Sequence, residues 1–239
     1  SGPHVAPWLL KDVADAPSKA DGLKAIVLGS LAQQTELILE PESKAQMKKL
    51  LADPATSALA LPLVTKWDKG GVLAAEVKAQ LDKLSATLSD NAAPVAARVS
   101  AAKGLVAVGG SSQELVVRAL ARSDAPAPLQ AAIIAALDES GAISGIVPSL
   151  NGLKPELRAQ AFEAMLKRPD ATGALLDAVK AGSIDRAIFA PGDVARLRSH
   201  PNKQIAKRAN DLFKVNNAAK DAIIAKLVPE VEKPGNAAQ

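Results

Sequence analysis

The chain of 239 residues contains no cysteine, so disulfide bonds and thiolate chemistry are excluded from it. Histidine, the usual proton carrier near neutral pH, occurs only as His4 and His200. Neither has a second histidine or a cysteine nearby to complete a metal site. We therefore expect no metal or cofactor on this chain, and we interpret His200 as a turn residue beside Pro201.

Aromatic residues are scarce, at 2% of the chain, and tyrosine is absent. Compact β-sandwiches and barrels rely on aromatic and β-branched strand residues. This chain is instead 48% hydrophobic and rich in alanine, leucine and valine, which favours packed helices. Trp8 and Trp67 are both predicted to lie between helices, because a large side chain fills gaps in an alanine-rich interface.

Long hydrophobic runs are also missing. The longest, at 58–64 and 131–137, are far shorter than the roughly 20 residues of a membrane-spanning helix. The net charge of +4 predicts only a mild attraction to acidic surfaces. The glycine pairs lack the spacing of a phosphate loop, and no nucleophile elbow is present. The adjacent carboxylates Asp138 and Glu139 do not face each other on a helix and are interpreted as its solvated end.

Amphipathic helices separated by turns run along the whole chain. In the clearest unit, 90–137, apolar residues from Val95 to Val106 recur at steps of three and four and so share one helix face. Prolines recur near predicted helix starts at spacings of 34, 27 and 46 residues: Pro94, Pro128, Pro155 and Pro201. No such helix buries its apolar face alone, so the pattern predicts an all-α fold, a right-handed α-solenoid of five or six irregular helix pairs.

Local signals place some of the boundaries. Asp53-Pro54 predicts a helix over 54–67 that Pro62 kinks or interrupts. Ser111 and Glu114 have the spacing of a capping box, in which each side chain bonds to the other residue's backbone N–H group. A last helix is predicted over 217–228.

The runs PVAARVSAAKGL (94–105) and KPELRAQAFEAML (154–166) resemble HEAT repeats. The run DVARLRSHPNKQIAKRANDLFK (193–214), with AIIAKLVPEVEKPGNAAQ (222–239), is similar to the segment before the c-type cytochrome module of large, exported, planctomycete-type haem-binding multidomain proteins. That resemblance implies a periplasmic or extracellular parent protein, with a β-propeller dehydrogenase-like domain upstream and a Cys-x-x-Cys-His domain downstream. It assigns no haem role to the residues of this chain.

Three regions are predicted. Residues 1–3 resemble the remnant of a cleaved tag, with which any natural export signal would also have been lost. Residues 4–228 form the HEAT-like repeat domain, and the polar residues 229–239 form a linker to a following domain.

The strongest charge feature lies near the C-terminus, where 196–214 holds six basic residues and one acid. We call these six residues the C-terminal basic surface: Arg196, Arg198, Lys203, Lys207, Arg208 and Lys214. Two interpretations stay open. The surface binds an acidic protein domain, a polyanionic glycan or nucleic acid, or it is the solvated outer face of a terminal repeat.

The predicted function is that of a non-catalytic scaffold or protein-interaction domain of a larger exported multidomain protein. Its expected partners are other domains of the same polypeptide or a separate protein. The alternative is a HEAT-like DNA-binding protein or DNA glycosylase, which would need a basic concave groove with aromatic and acidic residues near the base. No aromatic side chains interleave the charges of the C-terminal basic surface as stacking platforms for single-stranded nucleic acid would.

Overall fold

The computed structural model describes residues 7–32, 39, 43–53 and 55–214. These residues contain twelve α-helices and no strand, so the all-α fold class is confirmed for them. The helices are α1 (Pro7–Asp15), α2 (Asp21–Leu31), α3 (Lys44–Ala52), α4 (Ser57–Trp67), α5 (Ala74–Ser89), α6 (Val95–Val108), α7 (Ser111–Leu120), α8 (Ala127–Glu139), α9 (Pro155–Leu166), α10 (Pro169–Lys180), α11 (Pro191–Arg198) and α12 (Lys203–Leu212). The longest 3₁₀ segment is Ile143–Gly152. His4, residues 1–3, the predicted helix over 217–228 and the linker 229–239 lie outside the described residues.

The helices lie in two rows. In the first row, α2 contacts α4, and contacts continue from α4 to α6, α8 and α9. In the second row they run from α1 through α3, α5 and α7 to the 3₁₀ segment, and on to α10 and α12. Helices of the two rows also pack on each other, as α3 does on α4, α5 on α6 and α11 on α12. From α3 to α10, each helix is therefore held by row neighbours and by the opposite row.

Prolines mark several helix starts, as predicted. Pro155 is the first residue of α9, Pro128 the second of α8, and Pro94 directly precedes α6. Proline suits these positions because the first N–H groups of a helix have no partner within it. Pro201 lies two residues before α12, where the side chain of Asn202 instead accepts hydrogen bonds from two backbone N–H groups.

Two local predictions are wrong in part or in full. The helix predicted over 54–67 ends at Trp67 as expected, but it begins at Ser57 and continues through Pro62 without interruption. The buried apolar side chains on both sides of Pro62 offset the hydrogen bond that its ring removes. The capping box is absent, because Gly110, at φ 57°, precedes the helix and Ser111 is already its first residue.

Two adjoining hydrophobic clusters fill the space between the rows. The first extends from Leu10 to Leu73 and the second from Leu88 to Ala209, and side chains of α5 pack against both. Trp67 is fully buried in the first cluster, as predicted. The prediction for Trp8 is wrong: it is 65% exposed, because no helix of the described chain covers the outer side of α1.

A buried polar contact recurs at the start of first-row helices. The side chain four residues after the N-cap reaches back to a carbonyl near the end of the preceding second-row helix. Arg98 donates from Nε to the carbonyl of Leu88 (3.0 Å), and Gln130 donates from Nε2 to the carbonyl of Leu120 (2.8 Å). Helix ends leave carbonyls without partners, so these bonds satisfy backbone groups that would otherwise be buried unpaired.

Polar contacts between row neighbours recur at a nearly constant separation along the sequence. Apart from Lys48 with Glu76, which are 28 positions apart, they join residues 29 to 35 positions apart, about the length of one helix pair with its turns. Examples are Lys49 with Asp15, Arg122 with Asn91, Arg168 with Asp138, Asn151 with Ser183 and Arg208 with Asp177. Polar contacts at this separation thus occur from α1 to α12.

Candidate binding surface at the last two helices

The C-terminal basic surface lies at the last two described helices. Arg196 and Arg198 are on α11, Lys203, Lys207 and Arg208 are on α12, and Lys214 follows α12. Ile205 and Ala209, four residues apart, turn one face of α12 into the core. Lys203 and Lys207 lie outside that face and are exposed. The structure therefore brings all six predicted residues to one end of the described chain but gives them different contacts.

Arg196 holds α11 against α9. Its guanidinium binds both carboxylate oxygens of Glu163, with 2.8 Å between Nη2 and Oε2. It also stands over the ring of Phe162, 5.9 Å from the centroid. These hydrogen bonds lower the pKa of Glu163 and raise that of Arg196. This arginine therefore ties α11 to α9 rather than standing free for a ligand.

Arg208 and Arg198 are occupied in a similar way. Arg208 donates to the carbonyl of Gly173 (3.2 Å) and to the carboxylate of Asp177, which ties α12 to α10. Arg198 donates to the carbonyl of Phe213 and so fastens the end of α11 to the end of α12. Both guanidinium groups stabilise contacts between helices, and the carboxylate of Asp177 also partly neutralises the charge of Arg208.

The three lysines are the outward part of this surface. Lys214 pairs with Asp211 at 2.7 Å, and this hydrogen bond lowers the pKa of that carboxyl. Lys203 and Lys207 form no ion pair within the part of the chain that the structure describes. An anionic partner of this surface would thus meet these two lysines first.

His200 has both ring nitrogens in backbone contacts. Nδ1 accepts the N–H of Asn202 at 3.0 Å, and Nε2 lies 3.1 Å from the carbonyl of Leu166 at the end of α9. The ring therefore stabilises the turn before α12 and links it to the first row. This placement agrees with the interpretation of His200 as a turn residue.

The carboxylates of the chain are likewise used between helices. Asp138 accepts from Nε of Arg168 at 3.2 Å and also pairs with Lys167, so it does more than solvate a helix end, whereas Glu139 is exposed. Among the residues that the structure describes, no three side chains of histidine, aspartate or glutamate are grouped so that they could hold a metal ion.

Sequence reasoning missed the surface grooves. One groove, of about 540 Å³, lies where the 3₁₀ segment replaces a full helix in the second row, beside Glu114, Val117 and Arg118 of α7. A smaller one of about 220 Å³ is lined by Arg158, Phe162 and other side chains around the start of α9. The apolar run 142–150 looks like a helix in the sequence, so only the break at Asn151-Gly152 hinted at a shorter element.

Comparison of the chain with models of protein families, with curated proteins and with solved structures finds no match. None of the helices that the structure describes is long and apolar enough to cross a membrane. The fold by itself therefore defines the class: an all-α protein whose helices pack in two rows.

Proposed function

We propose that this chain is a HEAT-like α-solenoid that acts as a non-catalytic scaffold or protein-interaction domain within a larger, exported multidomain protein. The observation that carries the proposal is the recurrence of polar contacts at separations of 29 to 35 residues, from Lys49–Asp15 to Arg208–Asp177. These separations are in the range of two-helix repeats, and they are shorter than a typical HEAT repeat of about 40–47 residues. Neighbour-to-neighbour contact of this kind is how solenoids build an extended body.

The proposed mechanism is geometric. Each polar link fixes one helix pair to the next, so the two ends of the stack stay at a set distance. Arg196–Glu163 links α11 to α9, Arg168–Asp138 links the residue before α10 to α8, and Arg208–Asp177 links α12 to α10. Domains attached at the two ends would then be held in a defined relative position, while the outward helix faces stay available for contact.

A distance measurement tests the scaffold. Because the chain has no cysteine, Ser30→Cys with Lys207→Cys supplies one pair of spin-label sites, both exposed and at opposite ends of the described chain. Ala79→Cys with Ala86→Cys, two exposed positions on α5, gives the width that the labels alone produce. We expect the end-to-end distance distribution to be nearly as narrow as this control. A broad distribution would show that the stack is not stiff enough to set a distance.

The interaction surface is tested with polyanions. We compare a Lys203→Gln/Lys207→Gln variant with Lys83→Gln/Lys103→Gln, which removes the same charge from exposed positions elsewhere. Duplex DNA is titrated across a salt series, because phosphate contacts weaken steeply with salt. Salt-dependent DNA binding that only the first variant loses would replace the scaffold proposal by the DNA-binding alternative. We expect no DNA binding at low salt.

The multidomain part is tested on the parent gene. We expect codons for a Cys-x-x-Cys-His motif to follow soon after Gln239, and a β-propeller domain to be encoded upstream of His4. A gene that encodes neither would remove the family proposal and leave the repeat architecture to be judged on the distance measurement.

A further inference from the structure

Helices α1 and α2 carry the three most exposed large apolar side chains of the described chain. Ile26 is 68% exposed, Trp8 65% and Leu23 63%. We call these three residues the N-terminal apolar surface. Leu23 and Ile26 are three residues apart and share one face of α2. Clustered exposed side chains of this size mark a contact surface, whereas scattered single ones do not.

A groove of about 160 Å³ lies between the same two helices. Its walls are mainly apolar and include Leu9 and Val13 of α1 with Leu23 and Val27 of α2. The groove exists because α1 packs on α3 and α2 packs on α4, while α1 and α2 do not pack closely on each other. In this respect they differ from α3 with α4 or α5 with α6. A groove therefore separates the two helices of the first pair.

The outward side of this pair corresponds to an interface that is covered elsewhere in the molecule. In the first row α4 lies between α2 and α6, and in the second row α3 lies between α1 and α5. Among the described residues, α1 and α2 have row neighbours on one side only. The N-terminal apolar surface therefore continues the stacking interface, and a matching occupant is another helix pair of the same kind.

The charges around this surface favour a second copy as that occupant. Lys11 and Lys19 are exposed beside the exposed carboxylates of Asp12 and Asp15. Lys11 and Lys49 both bond to Asp15, at 3.1 and 2.9 Å, and these hydrogen bonds lower its pKa. Although the whole chain carries +4, this rim is nearly balanced. Two identical rims can therefore meet with opposite charges facing each other and without net repulsion.

We propose that two copies of the chain associate symmetrically through the N-terminal apolar surface, with Trp8 of each copy inserted into the α1–α2 groove of the other. In a twofold interface each contact occurs twice, so one exposed tryptophan and one empty groove per chain are complementary. The groove is of the size of a single aromatic side chain. Asp12, which lines it, supplies an acceptor for the indole N–H group. This association does not depend on the proposed scaffold role.

Sedimentation velocity of the full chain across a dilution series, from high micromolar to nanomolar, tests the proposal. We expect a reversible monomer–dimer equilibrium. Tryptophan fluorescence follows the same dilution, because Trp67 is fully buried and Trp8 is the exposed indole. The emission maximum should move to shorter wavelength as the dimer forms and covers Trp8.

Two variants and a matched control locate the interface. Trp8→Ser should raise the dimer Kd by about thirtyfold or more, as for an aromatic hot spot. Ile26→Ser should raise it by about tenfold. Val72→Ser changes an apolar side chain of comparable exposure, 54%, on another part of the chain and should leave the Kd unchanged.

Each outcome decides the proposal. A chain that stays monomeric at every concentration overturns it, and the surface then belongs to some other occupant. A dimer that survives both Trp8→Ser and Ile26→Ser also overturns it, because association then uses another surface. A dimer that only these two variants weaken, with the shift in emission, supports it. The distance measurement between Ser30→Cys and Lys207→Cys, made with unlabelled protein in excess, judges the scaffold separately.

Discussion

The outer faces at the two ends of the described helix stack differ in polarity. At the first end, α1 and α2 turn Trp8, Leu23 and Ile26 into solvent around an apolar groove. At the last described helix, α12, the outward residues include Lys203 and Lys207, while Ile205 faces the core. Within the described residues, each end has a row neighbour on one side only, yet only one of the two ends has a polar outer face.

The difference shows which of the two described ends has an outer face suited to contact with water. A terminal helix needs a polar outer side to remain soluble without a neighbour. The charges and internal ion pairs of α11 and α12 meet this need. The apolar first pair does not, which is why we place the contact with a second copy there. The predictions below test this contrast.

The largest difference in stability should be the one between substituting the buried Trp67 and substituting the exposed Trp8. Trp67→Ala should lower the free energy of unfolding by about 3–5 kcal/mol, because it leaves a large cavity in the N-terminal cluster. Trp8→Ala, measured by urea unfolding at a concentration where the chain is monomeric, should change it by less than about 0.5 kcal/mol. Equal losses would show that Trp8 is part of the core and that the first end is not open.

A buried capping arginine should have the next largest effect. Arg98 is 2% exposed, and Arg98→Met leaves the carbonyl of Leu88 without its charged donor. We expect a loss of about 1.5–3 kcal/mol in urea unfolding. Arg118→Met removes an exposed arginine on α7 and is the matched control, with little change expected. If both variants behaved alike, the recurring contact at the starts of first-row helices would not stabilise the stack.

The ion pair between Arg196 and Glu163 should contribute less and should depend on pH. Arg196 lowers the pKa of Glu163 in the folded state, so the pair stabilises the fold above the unfolded pKa of the carboxyl, near pH 4.3. This contribution is lost as the pH falls through the lower, folded pKa. Because the pair is half-exposed, Glu163→Gln should cost only about 0.2–1 kcal/mol at neutral pH.

Unfolding curves from pH 7 to pH 2 measure this dependence. The variant should approach the stability of the wild type as the pH falls, because protonation removes the same ion pair from the wild type. Glu139→Gln, at an exposed position, should run parallel to the wild type at all pH values. A constant difference between Glu163→Gln and the wild type down to pH 2 would contradict the ion-pair assignment.

The smallest effect should come from the outward lysines. Lys203→Gln/Lys207→Gln should change the free energy of unfolding by less than about 0.5 kcal/mol, because both side chains are exposed. Ile205→Ala on the same helix should cost roughly 2 kcal/mol or more, since Ile205 is buried. A marked loss in the lysine variant would mean that the last end is held by contacts of these side chains and is not simply a solvated face.

The helical fold was predictable because its causes are local. Alanine and leucine favour helices, prolines near helix starts set several boundaries, and apolar residues at steps of three and four set the buried faces. The predictions that were wrong depended on distant neighbours. Pro62 stays inside α4 because buried side chains hold the helix on both sides of it. Trp8 is exposed because nothing described covers α1.

The sequence predicted where the candidate site lies, but not which contacts its side chains make. The sequence locates six basic residues near the C-terminus, and Lys203 and Lys207 share a face at a spacing of four. It does not reveal that Arg196 and Arg208 pair with Glu163 and Asp177. These partners lie 33 and 31 residues earlier and are brought close only by stacking.

The sequence alone determined that this chain is helical and without cysteine chemistry, because composition and short-range periodicity act within a few residues. The tertiary structure decided which charges and apolar side chains are free. An arginine is neutralised or an indole is covered only when the neighbouring helix pair, about 30 residues away, supplies the partner. For that reason the exposed Trp8 and the occupied Arg196 were visible only in the packed molecule.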